Sequence, residues 1–353
     1  MRSALERSQV RLAVVMAATL LLVACGQVVD SAAPGPDTGP LTIRLGYFPN
    51  LTHAPALVGL KKGLFATALG PDVTLETHAF NAGGDAVTAI LSSSIDVTFV
   101  GPNPTTNAFA QSHGQAIRVI AGSTSGGAQL VVRPGISSIA ALKGKKIADP
   151  QLGGTQDVAL RWFLQNHGFK TDTAGGGDVS ILPQDNAQTL TAFKQGKIDG
   201  AWVPEPWASR LVIEGNGAVL VDERDLWPQG KFDTTNLIAR TSFLRAHPKR
   251  VKALLDGLYE SISYLSSNPT EAQKVSNDAL GDLTGRKLAA GVVSAAWPHM
   301  TFTVDPLADT LKASADHAHA VGLLGAVDLR GLYDLTLLDQ VLAAHNLPAV
   351  SGS

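Results

Sequence analysis

The chain has 353 residues, 28 Lys and Arg against 30 Asp and Glu, and a single cysteine. Near-neutral charge, with no basic tract and no interleaving of aromatic and basic residues, argues against a nucleic-acid partner. One cysteine excludes an internal disulfide framework and a cysteine-rich metal site.

The first residues read as an export signal. Arg2, Arg7 and Arg11 make a basic start, diluted by Glu6, and Leu12–Val23 is an uncharged apolar run. Its length suits the core of a signal peptide better than a membrane span. The run ends in Leu22-Val23-Ala24-Cys25, which resembles a bacterial lipobox, so Cys25 is the expected lipidation site and residues 1–24 the cleaved signal. Removing three Arg and one Glu with that signal leaves 25 basic against 29 acidic residues, a mildly acidic mature chain. Residues 25–40, rich in Gly, Pro, Ser, Ala and Asp, cannot bury enough apolar surface to fold and read as a flexible tether. Roughly 310 residues remain, enough for two compact lobes.

From residue 41 short β-branched runs alternate with helical stretches, the signature of α/β layers with parallel sheets covered on both faces. Strands are expected at 41–48, 73–80, 97–100 and 118–121. A second set follows at 130–132, 146–148, 179–182, 201–203, 219–221 and 236–239. Helices are expected between them at 55–62, 85–92, 157–166 and 187–195. From residue 243 the chain turns helical, with segments at 242–266, 270–280, 286–297, 306–321 and 334–344. This order predicts lobe 1 at 41–128, lobe 2 at 129–235, and a return strand and helical tail of lobe 1 at 236–348. The chain then crosses twice, near 124–133 and 233–239.

An internal echo supports two related lobes. Asp85–Ile90 leads through Ile95-Asp96 and a strand into Pro102-Asn103-Pro104, and Asp185–Leu190 leads through Ile198-Asp199 and a strand into Pro204-Glu205-Pro206. Ligands in open α/β sheets bind at the carboxyl ends of strands. Five loops there carry small or capping residues ahead of helices: Asn50-Leu51-Thr52-His53, Ala82-Gly83-Gly84-Asp85, Asn103-Pro104-Thr105-Thr106, Ser123-Thr124-Ser125-Gly126-Gly127 and Gly153-Gly154-Thr155-Gln156. Free amides and the helix dipole favour an anion at such starts.

Trp202-Val203-Pro204-Glu205-Pro206-Trp207 places aromatic rings and a carboxylate at a strand end. Trp202 is expected to wall the cleft and Glu205 to accept from a cationic part of the ligand; the alternative is that both tryptophans fill core and Glu205 pairs with Arg210. Arg161 has Asp157 four residues before it, which predicts a surface pair and not an anion ligand. His317 and His319 point to different faces of a helix and make a poor metal pair. No metal site or cofactor is expected.

Leu45-Gly46-Tyr47-Phe48, His53-Ala54-Pro55-Ala56, Phe99-Val100-Gly101-Pro102, Leu142–Ala148 and Asp199–Trp207 together resemble the nitrate/sulfonate/taurine group of ABC-importer substrate-binding proteins. The resemblance runs from about residue 41 to about residue 265. It implies an α/β, two-lobe type II periplasmic-binding-protein fold with a hinge and central cleft. It implies a small anionic ligand and delivery to an ABC permease with a cytoplasmic ATPase; the lipid anchor in the membrane follows from Cys25, and a monomer is expected. It also implies that Gly83, Gly84, Thr124, Ser125, Gly153, Thr155, Gln156, Trp202 and Glu205 face the cleft, beside Asn50, Thr52 and Asn103 from the loop reading. Aliphatic sulfonates and taurine come first as ligands, then nitrate, then a thiamine-precursor pyrimidine. Pyrimidine synthases and desulfinases resemble the same fold, but the missing second cysteine, the scattered histidines and the export signal oppose an enzyme.

Overall fold

The computed structural model describes residues 37–352. The signal, Cys25 and most of the expected tether lie outside the described residues. Two sheets organise the rest. The larger contains β1 (Leu41–Tyr47), β2 (Val73–Ala79), β3 (Val97–Val100), β4 (Ile117–Gly126), β10 (Asp233–Arg240) and β11 (Met300–Phe302), in the order β11-β4-β10-β3-β1-β2. The smaller contains β5 (Ala128–Val132), β6 (Lys146–Asp149), β7 (Ser180–Pro183), β8 (Gly200–Pro204) and β9 (Ala218–Asp222), in the order β7-β6-β8-β5-β9.

The expectation of parallel sheets needs correction. Each sheet has three parallel strands followed by antiparallel pairings: β10 pairs antiparallel with β3 and β4, and β5 with β8 and β9. The reason is chain path. β5 and β10 are the first strands reached after the chain passes from one sheet to the other, so each enters its sheet against the direction of the strands beside it.

The two sheets share one plan, with β2, β1, β3, β10 and β4 matching β7, β6, β8, β5 and β9. The sequence echo has a structural cause within that plan. Asp96, just before β3, accepts from the Arg44 amide of β1 through its side chain at 3.0 Å, and Asp199, just before β8, accepts from the Lys146 amide of β6 at 2.8 Å. Their own backbone amides donate to the carbonyls of the same two residues. Ile95 and Ile198 are both buried. The Ile-Asp pair thus seats the third parallel strand against the first in each lobe.

Helices cover both faces of each sheet. They are α1 (Ala54–Lys61), α2 (Leu64–Leu69), α3 (Gly83–Leu91), α4 (Pro102–Gln111), α5 (Thr155–Asn166), α6 (Asn186–Lys194), α7 (Trp207–Ile213), α8 (Thr241–Ala246), α9 (Pro248–Ser267), α10 (Pro269–Thr284), α11 (Ala290–Ala296), α12 (Ala308–Ala320) and α13 (Thr336–Ala344). Strand alternation sorts the cores, because successive side chains point to opposite faces. In β8, Ala201 and Val203 join Leu190, Phe193 and Leu211 on one face, while Trp202 joins Leu160, Phe163 and Leu164 on the other.

The expected helix over 242–266 divides into α8 and α9, since Pro248 lacks the amide to continue the first and starts the second. Val251, Leu254, Leu255, Leu258, Ile262 and Leu265 give α9 a buried stripe that packs on α1, α2 and α13. The expected helix over 286–297 is reduced to α11, because Leu288 is tied by its amide and carbonyl to the Asn277 side chain. The tail also reaches the smaller sheet: α11 packs on α7, and α12 packs on α5 with Trp162 stacked on His317 at 4.2 Å. No described helix is long and apolar enough to cross a membrane.

The chain leaves the larger sheet through Gly126 and Gly127, both with positive φ. A Cβ on Gly126 would lie 2.5 Å from the His299 carbonyl oxygen, so only glycine makes this passage without displacing backbone. The return passage runs through residues 223–232 into β10.

Candidate functional site

Loops leaving the carboxyl ends of strands in both lobes meet around a small cavity of about 50 Å³. β1 delivers Phe48, Asn50, Thr52 and His53; β2 delivers Asn81, Ala82 and Gly83; β3 delivers Gly101 and Pro104. From the other lobe come Pro150, Gln151, Gly154, Thr155 and Gln156 after β6, Asn186 after β7, and Pro204 from β8. Thr234 and Thr235 of β10 complete the lining.

Helix starts face one another here. The residues preceding α3, α4 and α5 are Ala82, Gly101 and Gly154, none of which carries a side chain able to cap. The helix dipoles therefore end at the cavity without a protein oxygen from the cap position to absorb them, an arrangement that suits an anion.

No Lys, Arg, Asp or Glu lines the cavity. Its one titratable side chain, His53, is buried, stacks on Phe48 at 4.4 Å and accepts from the Phe48 amide through Nδ1. Burial pushes its pKa down to about 3. His53 is therefore neutral at any working pH, and affinity for an anion that does not itself titrate should stay constant within about twofold from pH 5 to pH 8. Isothermal titration across that range checks this; a steep loss above pH 6 would mean that a protonated histidine holds the ligand.

A buried frame shapes the loop before α5. Asp149 Oδ1 accepts from the Gln151 amide at 3.1 Å and Asp157 Oδ2 from the Gly153 amide at 2.8 Å. Arg161 Nε donates to Asp157 Oδ1 at 2.7 Å, and both side chains are fully buried, so the pair expected at the surface lies inside instead. Burial, and then the neighbouring Asp157 carboxylate, raise Asp149 well above the usual carboxylate range. Asp157 is paired with Arg161, and burial disfavours the charged form of Asp149 beside it, which limits the negative charge behind the helix start.

Of the residues singled out by sequence, Asn50, Thr52, Gly83, Thr155 and Gln156 line the cavity. Gly84 sits at its rim and donates its amide to Gln151 Oε1 at 2.7 Å. The others are placed elsewhere. Asn103 exchanges hydrogen bonds with Ser314, tying α4 to α12. Thr124 is buried in β4, and Ser125 Oγ accepts from the Phe232 amide beside the return passage. Gly153 is part of the loop frame, its amide held by Asp157.

Trp202 has no exposed surface and donates from Nε1 to Glu223 at 2.7 Å. It packs against Phe163 in the core and does not wall the cleft. Glu205 is equally buried and accepts from the Ser209 amide and hydroxyl, with burial raising its pKa to about 6. It is not paired with Arg210, which is held by Glu214 at 2.7 Å. Sequence reasoning passed over Asn81, Gln151, Asn186, Thr234 and Thr235. Asn81, Gln151 and Asn186 carry a usable signal, since each follows an expected strand and stands at or shortly before a helix start.

A second chamber of about 530 Å³ shares Asn81 with the first and is lined by Trp207, Leu280, Leu288, Arg210, Glu214, Arg286 and Lys287 among others. Arg210 is paired with Glu214 and Lys287 with Asp278, so among the described residues Arg286 is the lining cation with no ion pair, and it adds positive potential for an incoming anion.

The model of the NMT1-like family matches residues 37–279, well over half of the chain. The chain belongs to the NMT1-like family. Among relatives, it is 28% identical to the taurine-binding periplasmic protein of Escherichia coli over 61% of this chain and 64% of that one. Its fold matches the nitrate-binding protein NrtA of Synechocystis with a TM-score of 0.74 at 17% identity, covering 87% of this chain and 89% of that one. It also matches the aliphatic sulphonate binding protein SsuA of Escherichia coli with a TM-score of 0.68 at 22% identity, covering 85% and 99%. These are periplasmic solute-binding proteins, and the NMT1-like chain described here has their two-lobe fold.

Proposed function

We propose that this chain is the extracytoplasmic solute-binding component of an ABC importer and that its ligand is a small oxyanion. It binds the ligand between the lobes and hands it unchanged to a membrane permease driven by a cytoplasmic ATPase. Cys25, after the apolar run, is the proposed lipid attachment that keeps the protein at the outer face of the membrane.

The observation that carries the reading is the charge-free cavity on which helix starts from both lobes converge without capping side chains. Hydrogen bonds to a charged acceptor are roughly twice as strong as neutral ones, so amides and hydroxyls suffice to hold an anion there. Size and charge narrow the class. The cavity is small, about 50 Å³, which suits a compact anion such as nitrate, bicarbonate or the head of a short alkanesulfonate better than a bulky ligand. No carboxylate lines the cavity to receive an ammonium group, and Glu205 is turned onto Ser209. A plain short sulfonate or an inorganic oxyanion is therefore favoured over taurine, and an oxyanion over a pyrimidine.

Thermal denaturation with nitrate, bicarbonate, methanesulfonate, ethanesulfonate, taurine and an aminopyrimidine tests this. A ligand at 100 times its dissociation constant adds about 2.7 kcal/mol. Nitrate, bicarbonate or a short sulfonate should raise the midpoint most, taurine less and the pyrimidine not at all, with the ligand recovered unaltered. Stabilisation by the pyrimidine alone, or a chemically changed ligand, would overturn the reading.

A further inference from the structure

Two primary-amide side chains of the cavity wall, Asn50 and Gln151, occupy matching places in the two lobes. Asn50 lies in the loop leaving β1 and Gln151 in the loop leaving β6, and these strands hold the same position in their sheets. Each is bonded across the cleft to the opposite lobe. Trp207 Nε1 donates to Asn50 Oδ1 at 2.8 Å, and the Gly84 amide donates to Gln151 Oε1 at 2.7 Å. The orientation of both side chains follows from their partners. An indole N–H and a backbone N–H only donate, so the atoms that face them must be oxygens. The amino ends, Asn50 Nδ2 and Gln151 Nε2, have no hydrogen-bond partner among the described residues.

We propose that Asn50 and Gln151 determine anion selectivity, and that closing the lobes is what makes them selective. A free amide side chain offers its oxygen to a cation or donor as readily as its amino group to an anion. In the closed protein both oxygens are occupied by donors from the facing lobe, and only the amino groups remain for the ligand. Discrimination against cations and donor-rich neutral molecules then comes from closure, in a cavity whose lining holds no charged side chain. Gly84 sharpens the coupling, since a Cβ there would come within 3.0 Å of Gln151 Oε1 and 2.9 Å of Nε2 and would push the amide away. The inference rests on the oxyanion-binding reading above.

The test uses the full chain and the isosteric variants Asn50→Asp and Gln151→Glu. Both still accept the cross-lobe N–H, but each exchanges an amino donor for a second acceptor. Calorimetry with nitrate, methanesulfonate and methanesulfonamide, a neutral donor-bearing mimic, supplies the readout. Each variant should lose roughly 100-fold in nitrate affinity. Each should also shift the methanesulfonate-to-methanesulfonamide preference towards the amide, which a merely damaged fold would not do. Trp207→Phe keeps an aromatic ring, smaller than the indole, but removes the donor, and should cost roughly tenfold for nitrate as Asn50 regains its rotation. If an acidic variant proves unstable, Gln151→Leu must still lose about tenfold. Nitrate binding within about twofold of wild type in Asn50→Asp and Gln151→Glu, or an unchanged preference ratio, overturns the proposal while leaving the oxyanion reading in place. Failure of the wild-type chain to bind either anion overturns both.

Discussion

Replacing Gly101 by valine is expected to weaken binding of the proposed oxyanion, read with nitrate, about 5- to 150-fold while leaving the fold intact. Gly101 has ordinary extended backbone angles, so a side chain there brings no conformational strain of its own. What it brings is a collision across the cleft. A Cβ at this position would stand 2.4 Å from Thr155 Oγ1 of the facing lobe and 3.4 Å from the Thr234 carbonyl oxygen. The strain of such overpacking is about 1–3 kcal/mol, and it exists only when the lobes are together. A cost confined to the closed state is subtracted from ligand affinity, because binding draws on that state. Small-angle scattering with saturating nitrate should then show a larger radius of gyration than wild type. Wild-type affinity in Gly101→Val would mean that Thr155 does not approach the first lobe in the liganded protein.

Trp202→Ala should produce the largest loss of stability, about 3–5 kcal/mol, with ligand-size preference unchanged among those variants that still fold. The side chain is enclosed by Phe163 and the α5 face of the smaller sheet, and its removal leaves a large void. Glu223 suffers as well. It is fully buried, and its pKa is raised to about 7 by burial against the opposing effect of the hydrogen bonds from Trp202 and Trp227. Without the shorter of those bonds the carboxylate is less well compensated inside the protein. Urea titration followed by far-ultraviolet circular dichroism measures the loss. A variant with wild-type stability but altered preference between methane- and butanesulfonate would return Trp202 to the cleft wall.

The contrast between Trp202 and Asn50 explains how much of the site was legible. A residue in the middle of a strand points to one face of the sheet and is claimed by the helices there; the cleft is reached by residues past the strand end and, as with Pro204, Thr234 and Thr235, by those in a strand's terminal positions. Trp202 stands between Ala201 and Val203, within an expected strand, so period-two alternation already consigned it to a face. Asn50, Thr52, Gly83, Thr155 and Gln156 lie beyond strand ends, and all five line the cavity. Thr124 and Ser125 failed the same criterion, because β4 runs on to Gly126 and takes both into the ladder. Glu205 does lie past its strand, but its carboxylate folds back onto the amide and hydroxyl of Ser209 one helical turn later, a choice that local packing makes.

Local chemistry along the chain was sufficient for the α/β alternation, the doubled Ile-Asp motif and the placing of helix starts at strand ends, since each depends on residues near one another in sequence. Three things required the tertiary structure. The antiparallel entry of β5 and β10 follows from the direction in which the chain crosses between sheets, which no segment carries in itself. The burial of Arg161 depends on the frame of Asp149, Asp157 and the Asp172 carbonyl closing around it. The orientation of the Asn50 and Gln151 amides is set by Trp207 and Gly84, 157 and 67 residues away in sequence, and comes into being only when the two lobes meet.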